Sequence, residues 1–196
     1  MDIKYELEFF GYWHCGSGFS SGSDSDLLVI KDEAGIPYVS GKTIKGLLRD
    51  AVEELNTLQK KVDEKTIVKA FGDSPKRKLI DNVDGDDTTG CCFFNNAEIK
   101  QALKEKIKEA QISKYFYQNI SSTEIKNGIA AKNSLRKMEV VIPCVLQGDI
   151  LNVPDEMADL MILGLKFIKR LGQNRNRGLG RCAFHMLNNK EKGGLQ

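Results

Sequence analysis

A segment near the C-terminus, residues 171–181, concentrates guanidinium and carboxamide groups among glycines. Its polar and glycine residues are, in order, Gly172, Gln173, Asn174, Arg175, Asn176, Arg177, Gly178, Gly180 and Arg181. Glycine allows the backbone to approach a ligand closely, and guanidinium groups pair well with phosphates. The segment therefore predicts contact with a phosphodiester backbone. The alternative is a helix that ends at Gly172 and continues into a solvated turn.

Two aspartates, Asp24 and Asp26, lie in the glycine- and serine-rich residues 14–26. This segment has almost no large apolar side chain, so it predicts a loop. A carboxylate on such a loop could hold a hydrated Mg²⁺ beside a phosphate. The alternative is an ordinary solvated loop.

The chain has two histidines, His14 and His185, and five cysteines. Two histidines exclude a multi-histidine metal site. The cysteines form no CxxC pair and their number is odd, which predicts neither a zinc knuckle nor a disulfide framework. We expect the cysteines to be reduced core residues. We expect His185 to point from its strand toward the interior of the protein.

Charge is unevenly distributed along the chain. Residues 1–112 contain 16 Lys and Arg against 20 Asp and Glu, whereas residues 113–186 contain 11 against 6. The basic C-terminal half favours a polyanionic partner on one side, although solvated surfaces also show such asymmetry. The hydrophobic fraction of 41% and the charged fraction of 29% are typical of a soluble globular protein. With no apolar run of membrane-spanning length and no signal peptide, a cytoplasmic protein is expected.

Hydrophobic periodicity predicts the elements that position these residues. Residues 3–12 alternate as a half-buried strand does, and residues 40–55 have the apolar spacing of a helix that Ser40 can cap. The other predicted elements are a hairpin over 27–39 turned by Gly35, a short central strand at 90–94, a surface helix at 98–111, a long strand at 137–151 interrupted by Pro143, a helix at 155–171 and a last strand at 181–187.

This order of elements predicts an α+β domain of the ferredoxin-like or RNA-recognition-motif-like class, βαββαβ. We expect a single domain over residues 1–196, with insertions at about 56–89 and 112–137.

Two of these segments resemble the RAMP superfamily, the repeat-associated proteins of CRISPR systems. In that family a glycine-rich loop similar to residues 171–181 joins the last helix to the last strand, and residues 35–49 resemble the hairpin and first helix. Ser40 and Lys42 depart from the usual pattern. The resemblance implies that these parts hold the backbone of a guide RNA, through Lys42, Thr43, Lys45, Arg49, Gly172, Asn174, Arg175, Arg177, Gly178, Gly180 and Arg181.

The resemblance extends to backbone subunits of type III CRISPR complexes. In those subunits a short apolar stretch follows the catalytic loop. When residues 29–32 are aligned on that stretch, Asp26 falls at the position of the aspartate that cleaves target RNA, and Asp24 is the alternative candidate. Asp26 is then the Mg²⁺ ligand. Residues 120–139 resemble the family's β-hairpin thumb, which wedges between guide and target strands. This implies RNA contacts from Lys132, Arg136 and Lys137 and an apolar wedge from Leu135 or Met138.

These features predict a guide-RNA-binding backbone subunit of a type III CRISPR ribonucleoprotein that cleaves target RNA in antiviral defence. Its expected partners are guide RNA, target RNA, other effector subunits and copies of itself along the guide. One alternative is a non-catalytic scaffold or capping subunit of the same complex. Another is a metal-independent endonuclease that processes guide RNA with His14, and a ferredoxin-like domain that binds a small molecule is a further one.

Overall fold

The computed structural model describes residues 1–18, 27–73, 89–123, 125–131 and 134–187. Its strands are β1 (Ile3–Phe9), β2 (Phe93–Phe94), β3 (Tyr117–Ser122), β4 (Ile125–Lys126), β5 (Ile129–Ala130), β6 (Arg136–Val141), β7 (Val145–Leu151) and β8 (Cys182–Met186). Its helices are α1 (Gly41–Gln59), α2 (Glu64–Phe71), α3 (Gln101–Ala110) and α4 (Asp155–Phe167), with 3-10 turns at Ser113–Phe116 and Arg175–Arg177. In the described residues, no helix is both long enough and apolar enough to cross a membrane.

Four strands form the main sheet, in the order β2-β7-β1-β8, and each pair of neighbours is antiparallel. The alternation in β1 buries every second side chain, Ile3, Tyr5, Leu7 and Phe9, on the side of the sheet that forms the core. The fold is therefore α+β with antiparallel sheets, which is consistent with the predicted ferredoxin-like class. The predicted central position of β2 is wrong, because among the described strands β2 pairs with β7 alone, at the edge of the sheet.

Helices α1 and α4 pack against each other and complete the core. On α1, Ile44, Leu48 and Val52 are at most 1% exposed. A Cβ added to Gly164 of α4 would lie 2.8 Å from Cδ1 of Leu48, so the glycine lets the two helices approach closely. Ser40 caps α1 by accepting a hydrogen bond from the amide of Thr43, as predicted.

The predicted long strand over 137–151 is two strands in different sheets. Pro143 lies in the gap between β6 and β7, where it provides no amide for a ladder. β6 pairs with β3, from Tyr117 opposite Val141 to Ser122 opposite Arg136. Beyond this pair, β4 and β5 form a short antiparallel tip.

Apolar side chains on this hairpin are distributed differently from the prediction. Met138 is only 9% exposed, so it packs into the protein and is not free to act as a wedge. Leu135 is 63% exposed, and the tip residues Ile125 and Ile129 are 68% and 73% exposed. The exposed apolar groups of the hairpin are therefore nearer to its tip.

The predicted helix over 155–171 ends at Phe167. Ile168 and Leu171 are both buried, but they reach the core from an extended segment in which Arg170 forms a bridge with Arg181. The spacing of three residues between Ile168 and Leu171 fits a helix as well as it fits this extended path. Gly172 is therefore not the cap of α4.

Candidate nucleic-acid interface

The glycine-rich loop, residues 172–181, is closed at its base by an antiparallel bridge between Arg170 and Arg181. The amide of Leu171 donates to the carbonyl of Gly180 at 2.9 Å, and the amide of Gly180 donates to the carbonyl of Tyr12 at 2.8 Å. The amide of Gln173 donates to the carbonyl of His14 at 2.9 Å. The loop is thus fixed to the segment that follows β1 before any ligand binds.

Two of the loop glycines serve this close packing. At Gly172, whose φ is +99°, a Cβ would lie 2.4 Å from the carbonyl oxygen of His14. At Gly180, whose φ is +69°, a Cβ would lie 1.9 Å from the carbonyl oxygen of Leu171. Gly178, with a φ of +94°, has no atom within 4 Å of its Cβ position. Only Gly178 therefore leaves free space for a ligand, whereas Gly172 and Gly180 allow contacts within the chain.

The arginines of the loop project from this fixed base. Arg175, Arg177 and Arg181 are exposed, and Arg170 donates from its guanidinium group to the carbonyl of Arg175 at 2.8 Å. None of these four guanidinium groups forms an ion pair with a carboxylate of a described residue. Arg170 was missed at the sequence level because it lies at the end of the predicted helix, where a cation has an ordinary role. The loop and Arg170 therefore form a concentrated positive surface that no carboxylate of the described residues neutralises.

The start of α1 lies beside this loop. Ser40, Thr43 and Leu47 line a cleft of about 260 Å³ whose other wall comes from the loop. The full set of lining residues is His14, Cys15, Gly16, Ile30, Ser40, Thr43, Leu47, Gly172, Gln173 and Arg175. We call this space the cleft. Two of the amides of the first turn of α1 are already bonded, that of Gly41 to Asn96 and that of Thr43 to Ser40.

Lys45 and Arg49 do not meet the loop across the cleft. Successive helical residues are about 100° apart, so Lys45 points about 200° away from Thr43. Arg49 instead donates to Glu53 at 2.7 Å and to the carbonyl of Asp73 at 3.2 Å, and its side chain is 13% exposed. Lys42 is exposed on α1. The predicted grip thus brings together Thr43, Gly172 and Arg175, and leaves Lys45 and Arg49 on another flank of α1.

His14 lies at the inner end of the cleft and is completely buried. Its Nδ1 is 2.6 Å from the carbonyl oxygen of Glu139 in β6. Among the described residues, no group makes a hydrogen bond with Nε2. His185 is the opposite case, because it is exposed and its Nε2 is 3.0 Å from Glu8, so its predicted interior position is wrong.

Asp24 and Asp26 lie outside the described residues, but the two ends of their segment are placed. The amide of Ser17 donates to the carbonyl of Leu28 at 2.9 Å. On the other side, the amide of Glu139 donates to the carbonyl of Leu27 at 3.1 Å. The chain therefore returns from this segment beside β6 at Leu27, next to Glu139, which also contacts His14. In the part of the chain that the structure describes, no three His, Cys, Asp or Glu side chains cluster as metal ligands.

Glu139 fixes the residues that follow this segment. Its carboxylate accepts from the amide of Val29 at 3.0 Å and from Nζ of Lys31 at 2.7 Å. Lys31 also lies 3.8 Å from the ring centre of Tyr117. One side chain of β6 thereby connects the aspartate segment to the base of the β3–β6 hairpin.

A second ion pair fixes the neighbouring turn. Lys104 of α3 is 2.8 Å from both Asp32 and Glu98. Burial acts to raise the pKa of Asp32, but hydrogen bonds from Lys104 and from the amides of Ile36 and Ala34 outweigh it and hold that pKa below its ordinary value. Hydrogen bonds to Asp32 and Glu98 raise the pKa of Lys104. Both groups are therefore charged at neutral pH.

The basic residues of the hairpin are only partly placed. Arg136 and Lys137 begin β6 and are exposed, opposite Ser122 and Ser121 of β3. Lys132 lies outside the described residues. Arg136 and Lys137 thus add positive charge along the hairpin.

The open face of the main sheet has a different character. Its side chains are those that alternate away from the core, namely Lys4, Glu6, Glu8, Phe93, Val145, Gln147, Asp149, Leu151, Ala183 and His185. An RNA-recognition motif stacks bases on aromatic residues of this face. The aromatic side chain among these positions is Phe93 on the edge strand, which is 63% exposed, and three of the positions are carboxylates. A polyanion is therefore favoured at the loop and disfavoured on the sheet.

All five cysteines are free thiols, and Cys15, Cys92 and Cys182 are buried. Burial raises the pKa of the Cys15 thiol to about 12, with a smaller contribution from nearby Cys182. Burial likewise raises the pKa of Cys182 to about 12. Cys15 lines the cleft as a protonated, weakly nucleophilic side chain.

Comparisons with known proteins match the chain to one family and to solved structures of one type of complex. A family model described as the RAMP superfamily matches residues 6–183. No curated protein matches the sequence. Among solved structures, a chain of "Cryo-EM structure of the Type III-B Cmr-beta bound to cognate target RNA" superposes with a TM-score of 0.69 at 13% identity, over 95% of this chain and 97% of that one. A chain of "Type III-B Cmr-beta Cryo-EM structure of the Apo state" gives 0.66 at 10% identity, over 96% and 98%.

Proposed function

Since the chain belongs to the RAMP superfamily, we propose that it is a guide-RNA-binding subunit of a type III CRISPR ribonucleoprotein. The observation that carries the proposal is the glycine-rich loop, whose base is fixed to the segment after β1. Its three exposed guanidinium groups and that of neighbouring Arg170 have no carboxylate partner among the described residues. The similar chains in the type III-B structures, one of them bound to target RNA, support the same assignment.

Guide RNA lies along the loop and the start of α1 in this proposal. The arginines of the loop neutralise phosphates, and Lys42 and Thr43 extend the contact from α1. Because phosphate contacts dominate such binding, affinity falls steeply as salt rises and depends little on base sequence. Lys45 belongs to this surface only if the RNA passes over the outer flank of α1, and Arg49 is already paired.

The β3–β6 hairpin is the thumb of this proposed subunit, within a βαββαβ ferredoxin-like domain. The exposed Leu135, together with Ile125 and Ile129 nearer the tip, would separate guide from target strand, whereas the buried Met138 would not. Arg136, Lys137 and Lys132 contribute phosphate contacts beside it. Copies of the same chain and other effector subunits would follow the guide, in the cytoplasm.

Target cleavage by Asp26 with Mg²⁺ remains part of the proposal, with Asp24 as the second carboxylate. The support is positional, because the C-terminal end of the aspartate segment, at Leu27, is bonded to β6 beside the cleft. In this reaction the carboxylate would hold Mg²⁺ at the scissile phosphate. Asp26→Ala should abolish cleavage and leave RNA affinity unchanged, and unchanged products in the presence of Mg²⁺ would refute the assignment of Asp26. Absence of cleavage by the wild-type chain with Mg²⁺ would instead favour a non-catalytic scaffold or capping subunit.

The burial of His14 argues against the alternative of a metal-independent processing nuclease. A general base must come within hydrogen-bond reach of the group that it deprotonates. The ring of His14 is completely buried and one nitrogen is engaged by Glu139. Cleavage of repeat RNA in EDTA would revive this alternative.

Binding to RNA can be tested with a charge-matched pair of variants. Arg175→Ala with Arg177→Ala removes two of the exposed loop cations, and Lys61→Ala with Lys65→Ala removes two exposed cations near and on α2. The slope of log affinity against log salt for single-stranded RNA should fall by about 1.4 for the arginine pair, at about 0.7 for each lost phosphate contact. The lysine pair should leave it unchanged. Equal slopes in both variants would refute the assignment of the loop.

A further inference from the structure

Phe10 is an exposed aromatic residue at the point where β1 ends beside the glycine-rich loop. The alternation of β1 buries Phe9, which is 2% exposed, and leaves Phe10 49% exposed. Phe9 pairs with Cys182, and at the next position the amide of Phe10 donates to the carbonyl of Arg181 at 2.9 Å. Because residues that lie opposite each other on antiparallel strands share a face, Phe10 and Arg181 both lie on the open face of the main sheet. They form the end of this face that adjoins the loop.

Arg181 lies beside the ring of Phe10. Its Cζ is 5.7 Å from the ring centre, which is within the distance at which an aromatic face attracts a cation. The guanidinium group forms no ion pair with a carboxylate of the described residues. A cation that can bind a phosphate is therefore held beside an aromatic surface that is itself half exposed.

A single exposed phenylalanine is common on protein surfaces, and Phe93 provides the comparison. Phe93 lies on the same face of the sheet and is 63% exposed. It belongs to the edge strand and lies near the start of β1, since Phe94 and Ile3 both pair with Ile150. In the part of the chain that the structure describes, no cation lies over its ring. Phe10 therefore differs from Phe93 in its position beside the loop and in its arginine, and not in its exposure.

The charges around Phe10 favour one orientation of a nucleotide. The preceding outward position of β1 is Glu8, whose side chain is 40% exposed and whose carboxylate is 3.0 Å from His185. Carboxylates on this face repel a phosphate, whereas a nucleobase is planar and uncharged. The arginines of the loop attract the phosphate on the other side. A nucleotide is thus favoured with its base toward Phe10 and its phosphate toward the loop.

We propose that Phe10, with Arg181 beside it, is a stacking platform for one base of single-stranded RNA, whose adjoining phosphates bind the arginines of the glycine-rich loop. The inference rests on the proposed function and deepens it, because it adds a contact to a base where the loop by itself provides contacts to phosphates. Stacking requires a π-face and no particular hydrogen-bonding groups. The platform therefore accepts any of the four bases and adds affinity without strict sequence preference.

The experiment measures the affinity of the full chain for an unstructured single-stranded RNA of mixed sequence, by fluorescence anisotropy at several salt concentrations. Phe10→Ala removes the platform and Phe10→Trp keeps an aromatic surface, while Phe93→Ala and Phe93→Trp are the matched controls on the same face. Trp13 is the one tryptophan of the chain and is completely buried. The intrinsic fluorescence of Phe10→Trp, after subtraction of the wild-type signal, therefore reports on a base in contact with position 10.

Phe10→Ala should weaken RNA binding about 5- to 150-fold, the worth of one stacked base, and Phe10→Trp should retain it. The slope of log affinity against log salt should be unchanged in Phe10→Ala, because no phosphate contact is lost. RNA should quench the added fluorescence of Phe10→Trp and leave that of Phe93→Trp unaltered. Circular dichroism checks that each variant folds, and if Phe10→Ala does not fold, the quenching decides.

Wild-type affinity in Phe10→Ala, or no quenching in Phe10→Trp, would overturn the inference and leave the proposed function intact. Equal losses of affinity in Phe10→Ala and Phe93→Ala would also overturn it, because the effect would then not belong to the end of the sheet beside the loop. A smaller salt slope in Phe10→Ala would show that the ring positions Arg181 and does not stack on a base. Absence of salt-sensitive RNA binding in the wild-type chain would instead overturn the proposed function.

Discussion

The contact between Gly172 and His14 predicts that two glycines of one loop differ in their tolerance of alanine. Gly172 and Gly178 have nearly equal φ values, +99° and +94°. An added Cβ at Gly172 would lie 2.4 Å from the carbonyl oxygen of His14, whereas at Gly178 it meets nothing within 4 Å. The pair therefore separates the cost of backbone conformation from the cost of losing the contact.

The expected magnitudes follow from these two geometries. Gly178→Ala should cost about 1–2 kcal/mol of unfolding free energy, because a side chain disfavours a left-handed conformation. Gly172→Ala should cost that amount plus about 0.5–1.5 kcal/mol, because the bond from the amide of Gln173 to His14 must also break. The total for Gly172→Ala is then about 1.5–3.5 kcal/mol.

Urea denaturation of both variants measures this difference, and RNA affinity provides a second readout. If the fixed base of the loop prepares its arginines for binding, Gly172→Ala should weaken RNA binding more than Gly178→Ala does. Equal losses of stability and of affinity in the two variants would refute the idea that the bond to His14 positions the loop.

Two further predictions concern ionisable groups. The pKa of Asp32 is lowered in the folded chain, so its contribution to stability is present above the ordinary pKa of an aspartate and is lost as pH falls through the lower folded value. Asp32→Asn should lower the free energy of unfolding at neutral pH by about 1.5–3 kcal/mol, the range for hydrogen bonds to charged groups. Urea denaturation between about pH 2 and 7 should also show a smaller loss of stability toward acid pH in the variant than in the wild-type chain. An equal loss in both would show that the pair with Lys104 contributes nothing. Cys15 and Cys182, both buried and with pKa values raised to about 12, should resist alkylation at pH 8 until the chain unfolds, as read by peptide mass spectrometry, and rapid labelling of the native chain would contradict their burial.

Local patterns in the sequence were sufficient to predict most of the elements. The alternation of residues 3–12 predicted β1, and the spacing of apolar residues after Ser40 predicted α1 together with its cap. These predictions are confirmed because periodicity and capping depend on neighbours a few residues apart. The exposed arginines of the glycine-rich loop were also evident from composition alone.

The sequence was less informative where one pattern fits two conformations. Residues 168–171 fit a helix by spacing, but the chain there is extended and reaches Arg181. Residues 137–151 read as one strand, but Pro143 allows the chain to pass from the hairpin to the main sheet. In both cases a partner distant in the chain, which no local window contains, selects the conformation.

By itself, then, the sequence determined the α+β class, the basic loop and the helix start that accompanies it. Only the tertiary structure decided that Thr43 rather than Lys45 faces the loop, that Gly172 and Gly180 serve packing within the chain, and that His14 is buried against Glu139. His14 and Glu139 are 125 residues apart, and their contact depends on how the segment after β1 lies against β6. Composition and periodicity indicate which groups a chain possesses, whereas sheet register and helix rotation determine which of them meet.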